Sequence, residues 1–584
     1  MPTTVGEDMV AAPSTSDSAN MFDDGPFFAW WPWGPNVNNG VSPDLLGGDE
    51  DLFSYESSNQ QSALHRSMLD DQMHQHVGTA RNDTPFPLSW SPSCSPAQLN
   101  MDSRSISGEL HQGISPSGQE VRESLNPTIS GLPAKQYIRD LVDLFFVHLH
   151  HRLPCIDQDI LLQRLSEDYV TAHSCPLLWI IMATAAPMHP DENIRSCQGF
   201  WWHRAGSLFD TCTRTFQKPK ETLQAAVWLT YHSFTMARMA EAWTILGTAC
   251  RLASLFAWDR IDSTRTQPSP FTQPAGDEHE NEQRRRTIWA LFFLDRIVSS
   301  LYGSTLAFDD RQFCVNFPME NIEATSNGHL PGIGPTEMQP STEIFTRDLA
   351  SYFSTSGSST TNDQRLSLSR LVLKLAVLLG RIVTHHNQLH VHSSLEIQSH
   401  EADFTDMEHA LTRLYIIVAR SGYDILRAPE QDLRQVVWLH IMLRMCSILL
   451  YHPTVGKSPH RSLSYDDDGP GFQRCANSTR DMIHIIGESA RRSIDALLNP
   501  LLLPAYFLCS RFLAIDWHER KTASSKTDID LILMLLDRMA EQWPQLVTKY
   551  RTSIMSDLSK TIAQVQQMRI GNGSYLGDMC GRTT

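Results

Sequence analysis

Apolar side chains cover nearly the whole circumference of one stretch near the middle of the chain. Ile288, Trp289, Leu291, Phe292, Phe293, Leu294, Ile297, Val298 and Leu301 leave only Asp295, Arg296, Ser299 and Ser300 as polar positions. A helix that is apolar all round is a buried one, so residues 282–302 read as the central helix of a helical body. Its first turns carry Glu282, Gln283, Arg284, Arg285 and Arg286, and that end is expected in solvent. Glu280 and Arg284, like Glu282 and Arg286, stand four apart in the acid-first order that favours pairing on a helix.

Helical spacing recurs on both sides. It predicts helices over 137–151, 176–186, 199–216, 222–236 and 240–256 upstream, and over 364–385, 407–426, 431–451, 479–498, 503–517 and 528–550 downstream. No sustained alternation of period two competes, so the expected fold class is all-α. On the 240–256 helix, Trp243, Leu246, Gly247 and Cys250 share one stripe, and Ala242, Ala249 and Ala253 form a second one of small residues. Small residues let a neighbour approach, so this helix is expected to pack against the central one, with Trp289 nearly fully buried. Arg251 lies on the same largely apolar helix. A buried arginine needs a partner, and Asp295 is the expected one.

Residues 1–130 differ in kind. Rich in Ser, Pro, Gly, Asn, Gln and Asp and without a period, they read as disorder. They hold 17 acidic and 4 basic side chains, most of the chain's net charge of −17. Large apolar residues sit among the acids: Phe27, Phe28, Trp30, Trp31 and Trp33, then Leu52 and Phe53. Acids that keep aromatics solvated are the composition of disordered activation segments. The plainer alternative is an inert acidic tail. Phosphate would be repelled by this region, and Arg284-Arg285-Arg286 is the largest basic run anywhere. Specific DNA binding by this chain alone is therefore not expected.

The chemistry-bearing residues are sparse. Eleven cysteines are scattered with no Cys-x-x-Cys pair, so no zinc tetrahedron closes at short spacing. His148, His150 and His151 lack further ligands and, being sequence neighbours, do not share a helix face. There is no His-Glu-x-x-His, Gly-x-Ser-x-Gly or phosphate-binding Gly-x-x-x-x-Gly-Lys-Ser/Thr motif. Neither an enzyme nor a cofactor is expected. The N-terminus lacks a basic region followed by an apolar core. The apolar run 497–517 is broken by Pro500, Pro504 and Arg511, a poor membrane span.

Several of these residues also carry a resemblance. Arg285-Arg286, Trp289 and Asp295-Arg296, followed by Gly303 and an extended segment ending at Pro318, resemble the central motif of the fungal-specific transcription factor domain. Gly303-Ser304-Thr305 stands where that family usually has Gly-Arg-Pro. Gly247, Ala249, Arg251 and Ala253 resemble the family's Gly-x-Ala-x-Arg-x-Ala helix. The 145–156 stretch and the helix ending in His452-Pro453 are similar to other family segments.

The resemblance implies a regulatory domain of the kind carried by zinc-cluster transcription factors. The domain reading is 1–130 as an acidic-aromatic activation region, 134–350 as the family core and 364–565 as a helical continuation of the same body. Only Cys94 precedes the helical region, whereas the family's usual DNA reader needs six cysteines. The function expected is therefore that of a nuclear co-regulator of a pathway or secondary-metabolite cluster. Its partners would be a DNA-binding transcription factor and the transcription machinery, with homo- or hetero-dimers and without a membrane. The alternatives are a zinc-cluster factor whose upstream exon is missing from the sequence, and a helical scaffold with no transcriptional role.

Overall fold

The computed structural model describes residues 132–167, 174–263, 271, 276–302, 305–310, 312–319, 367–388, 397–452 and 469–570. Phe27, Phe28, Trp30, Trp31, Trp33, Leu52, Phe53 and Gly303 lie outside the described residues, as does the whole segment read as disorder.

The described residues form helices and connecting turns, with no strand among them, an all-α fold. In order the helices are α1 (Lys135–His148), α2 (Gln158–Glu167), α3 (Pro176–Ala185), α4 (Glu192–Ser196), α5 (Gln198–Thr215), α6 (Pro219–Thr235), α7 (Met239–Leu255) and α8 (Glu278–Tyr302). Then come α9 (Leu368–Gln388), α10 (Ile397–Ser421), α11 (Glu430–Tyr451), α12 (Pro470–Arg492), α13 (Leu503–Arg520), α14 (Ala523–Ala540), α15 (Pro544–Leu558) and α16 (Ile562–Ile570). Proline opens α3, α6, α12 and α15, where its missing N–H costs no intrahelical bond.

The central helix α8 packs on α6 and α7 on one side and on α9 on the other. Helix α9 in turn packs on α10 and α11. One apolar core thus runs through both halves, and Phe293 of α8 meets Trp438 of α11 edge-on, ring centroids 5.0 Å apart. By length and composition α11 could cross a membrane. Here its apolar surface is covered by α9, α10, α12 and α13.

Helix α7 packs on α8 as its small residues led one to expect, with Ala242, Leu246, Ala249, Cys250 and Ala253 all buried. Trp243 is not part of that face; it is 44% exposed. A turn of 100° per residue explains this, because the buried positions 242, 246, 249 and 253 define a stripe that 243 flanks.

The helix expected over 407–426 runs instead from Ile397 to Ser421, and other expectations about element boundaries need correction too. The 479–498 helix begins at Pro470 and ends at Arg492, because Pro470 is a better start than the first apolar repeat. The 528–550 segment is two helices, broken where Trp543 leaves helical geometry before Pro544. Helix α5 stops at Thr215 because Phe216 adopts a left-handed backbone, φ 54°. Helices α2, α4 and α16, absent from the sequence reading, are short.

The largest departure is at the start of α8. That end was expected in solvent. Instead Glu282, Gln283, Arg284 and Arg285 are buried; the 258–263 turn and the extended 313–319 segment cover Glu282, Arg284 and Arg285.

Candidate functional site

Three consecutive arginines on a helix point about 100° apart, so each meets a different partner. Arg285 reaches back to the 258–263 turn. Its Nη2 lies 2.7 Å from Asp262 Oδ1 and its Nε 3.0 Å from Asp262 Oδ2, the two-pronged geometry that suits a carboxylate. Its Nη1 donates to Glu278 Oε1 at 2.6 Å. Burial alone would lower the Arg285 pKa; the bonds to Asp262 and Glu278 outweigh it and hold the pKa above its ordinary value.

Arg286 reaches forward instead. Its Nε donates to Glu282 Oε1 at 3.0 Å and its Nη2 to the Met319 carbonyl at 2.7 Å. Glu282 Oε1 also accepts the Met319 amide at 2.8 Å. Desolvation raises the Glu282 pKa, against the pull of Arg286 and Arg285. Arg284 pairs with Glu280 at 2.9 Å and lies over the Trp258 ring, 5.3 Å from its centroid.

The collar thereby fastens two loops together. Asp262 Oδ2, already held by Arg285, accepts the Asn316 amide at 2.8 Å. The Cys314 amide donates to the Asp259 carbonyl at 2.8 Å. One turn further along α8, Trp289 Nε1 donates to the Asn316 carbonyl at 2.8 Å. The Trp289 ring stacks on Phe317, centroids 5.1 Å apart, and meets Phe313 edge-on at 5.0 Å. Trp289 is 2% exposed, as expected from the sequence. Pro318 is half-buried between Phe317 and Met319, at the end of the strap these contacts hold.

A second anchor sits two turns on. The Asp295 carboxylate accepts the amides of Ala307 and Phe308, at 3.0 and 3.1 Å. Arg296 pairs with Asp295, donates through Nη2 to the Phe308 carbonyl at 3.1 Å, and lies 3.7 Å from the Phe292 ring centroid. Both are buried, Arg296 completely. Desolvation lowers the Arg296 pKa, with Asp295 pulling the other way. Arg381 of α9 holds the same loop through Asp310, 2.6 Å away.

The expected pairing of Arg251 with Asp295 is therefore wrong. Arg251 is exposed and its Nη1 donates to the Gly247 carbonyl one turn back, at 3.3 Å. It lies two residues from Ala249, about 200° around the helix from the buried stripe. Gly247 is half-buried, and a methyl placed there would meet only the Arg251 guanidinium, at 3.2 Å.

The structure brings Arg285, Arg286, Trp289, Asp295, Arg296 and Pro318 to one helix and its straps, and leaves Gly247 and Arg251 outside it. The partners that complete the arrangement are Asp262, Glu278, Asn316 and Met319. No sequence spacing signals a bond between Asp262 and Arg285, 23 positions apart. The arrangement does mechanical work: it fixes two loops to a buried helix. Among the described residues no group of three or more His, Cys, Asp or Glu could hold a metal. Burial pushes the Cys155 and Cys175 thiols up to about 12, which keeps them protonated.

The sequence profile described as the fungal specific transcription factor domain matches residues 142–415. The chain carries this domain. The match begins within α1, ends within α10 and has the strapped α8 near its middle. Among curated proteins the chain is 22% identical over 338 residues to an ascochitine biosynthesis cluster transcriptional regulator of Didymella fabae, covering 55% of this chain and 52% of that one. It is 27% identical over 116 residues to a citrinin biosynthesis transcriptional activator of Monascus ruber, covering 20% of this chain and 22% of the other. The chain thus spans from about a fifth to about half the length of these relatives.

Proposed function

We propose that this protein is a transcriptional regulator of a biosynthetic gene cluster, acting in the nucleus through protein–protein contacts. The observation that carries the reading is the family domain over residues 142–415 of this chain, together with its similarity to proteins named as regulators of biosynthesis. The strapped helix supports it, since α8 is buried in the middle of that domain and its arginines are engaged by carboxylates rather than displayed to phosphate.

The finer part of the reading is a co-regulator that reaches DNA through a partner. The acidic-aromatic segment around Phe27, Phe28, Trp30, Trp31, Trp33, Leu52 and Phe53 would recruit the transcription machinery, and the helical body would hold a zinc-cluster factor. The net charge supports this, because an acidic chain gains little from phosphate. The test is a mobility shift with the purified full chain on promoter fragments of its own cluster at physiological salt. A discrete complex should appear only when the zinc-cluster partner is added. A discrete complex with the chain alone, surviving nonspecific competitor, would overturn the co-regulator mode.

A further inference from the structure

A cleft of about 370 Å³ lies between α2, α3 and the first turns of α6 and α8. Small-molecule sites run from roughly 300 to 1,000 Å³, so its size suits a compact ligand. Ile160, Leu165, Leu177 and Leu178 supply a mainly apolar lining.

Two buried glutamines interrupt that lining. Gln224 is 3% exposed and Gln283 4%. Gln224 Nε2 donates to the Cys155 carbonyl at 2.7 Å, which fixes the amide orientation, because a carbonyl can only accept. His279 Nε2 faces the Asp157 carboxylate at 3.1 Å and so carries its proton there. Its Nδ1 is then the acceptor for Gln283 Nε2, 3.3 Å away. Both amide nitrogens are thus committed, and both carboxamide oxygens lack a donor among the described residues. The residues are buried but these oxygens still open onto the cleft, so each is placed to accept a hydroxyl or N–H from an occupant.

The rim carries both signs of charge, and one cation on it is open to an anion. Arg164 is paired with Glu221, and Asp157 is shared between His279 and the Ile160 amide. Glu167 accepts from Gln163. Lys218 donates to Ser174. Lys220 has no ion pair among the described residues, and it stands in the first turn of the 17-residue α6. The positive end of that helix adds to its ammonium.

We propose that this cleft binds a small, largely apolar carboxylic acid bearing a hydroxyl: the hydroxyl donates to the glutamine oxygens and the carboxylate sits against Lys220. The proposal concerns binding and stands whether or not the chain regulates transcription.

The probe is 6-hydroxy-2-naphthoic acid, titrated calorimetrically into the full-length protein. Saturable binding of one molecule is expected. 2-Naphthoic acid, without the hydroxyl, and 6-hydroxy-2-naphthamide, without the charge, should each bind about tenfold more weakly. Lys220→Glu should weaken the probe by a similar factor without lowering the unfolding midpoint, since an acid suits the first turn of α6, and Leu165→Trp should block it by filling the lining. No saturable binding up to the probe's solubility limit would overturn the proposal. So would equal affinity for all three compounds, or wild-type affinity in a folded Lys220→Glu variant.

Discussion

Arg296 lies directly on Gly380. A methyl at Gly380 would stand 2.7 Å from Arg296 Nε, 3.1 Å from its Cγ and 3.2 Å from its Cδ. The atoms met are the stem of a fully buried side chain held by Asp295 and the Phe308 carbonyl, so they cannot swing aside. Alanine would gain about 0.5–1 kcal/mol of helix propensity over glycine. Overpacking of a filled core costs about 1–3 kcal/mol, and displacing Arg296 would also break a charged hydrogen bond. Gly380→Ala should therefore destabilise, by about 1–2 kcal/mol net in urea unfolding. Gly487→Ala on α12 is the control: a methyl there meets nothing within 4 Å, so the propensity gain should show and the protein should be slightly more stable.

Removing Asp295 should be far costlier than removing Arg251. Asp295→Ala strands the buried Arg296 and frees the Ala307 and Phe308 amides, a loss of about 3–5 kcal/mol. Adding Arg296→Met to it should recover part of that loss, because the stranded charge is gone. Arg251→Ala should stay within about 0.5 kcal/mol of the parent, since the side chain is in solvent. Equal losses from the two alanine variants would restore the Arg251–Asp295 pairing that the geometry rejects.

These two residues also show what the sequence could and could not tell. The burial of α8 was legible because its apolar positions leave no polar face, and so was its packing on the small-residue face of α7. Arg251 was misplaced because a lone arginine between apolar neighbours reads as buried, and only the phase of the stripe reveals otherwise. The collar was read as solvated because charged residues usually are. What buries it is a pair of loops whose contacts link Asp262 to Arg285 and Met319 to Glu282, and no local period encodes such bonds. The acceptors of Gln224 and Gln283 were likewise invisible, because two glutamines 59 positions apart become one site only when α6 and α8 pack together.

Trp289 should report on the strap. Trp289→Ala removes a stacked, buried ring and should cost about 3–5 kcal/mol. Trp289→Phe keeps an aromatic face toward Phe317 but leaves the Asn316 carbonyl without its indole donor, at a cost of about 1–3 kcal/mol. Hydrogen exchange at the Cys314 and Asn316 amides should quicken in both variants, because the strap loses its hold on α8. Exchange unchanged in Trp289→Ala would mean that the Asp262 and Glu282 bonds hold the strap unaided.

Acid should unfold the protein through histidines that the fold keeps neutral. His232 is 4% exposed and His452 2% exposed. Desolvation, with Arg238 nearby, lowers the His232 pKa to about 4. Desolvation, with His386 nearby, lowers the His452 pKa to about 3. In the unfolded chain both return to about 6.5. The unfolded state then binds protons that the folded state refuses, so stability is fully present above pH 6.5 and falls as the pH drops toward 4 and 3. By pH 5 each histidine has removed about 2 kcal/mol, or about 4 kcal/mol for the pair. Glu282 works in the opposite sense. Its pKa is raised by desolvation, so its protonation in acid favours the folded state. The wild-type slope therefore mixes both signs, and the His232→Asn, His452→Asn double variant separates them. Burial likewise lowers the pKa values of His150, His151 and His440, so urea unfolding at pH 7 and pH 5 should show a drop in the parent that is about 4 kcal/mol smaller, and not abolished, in the double variant. A drop of the same size in both would assign the acid sensitivity to other groups.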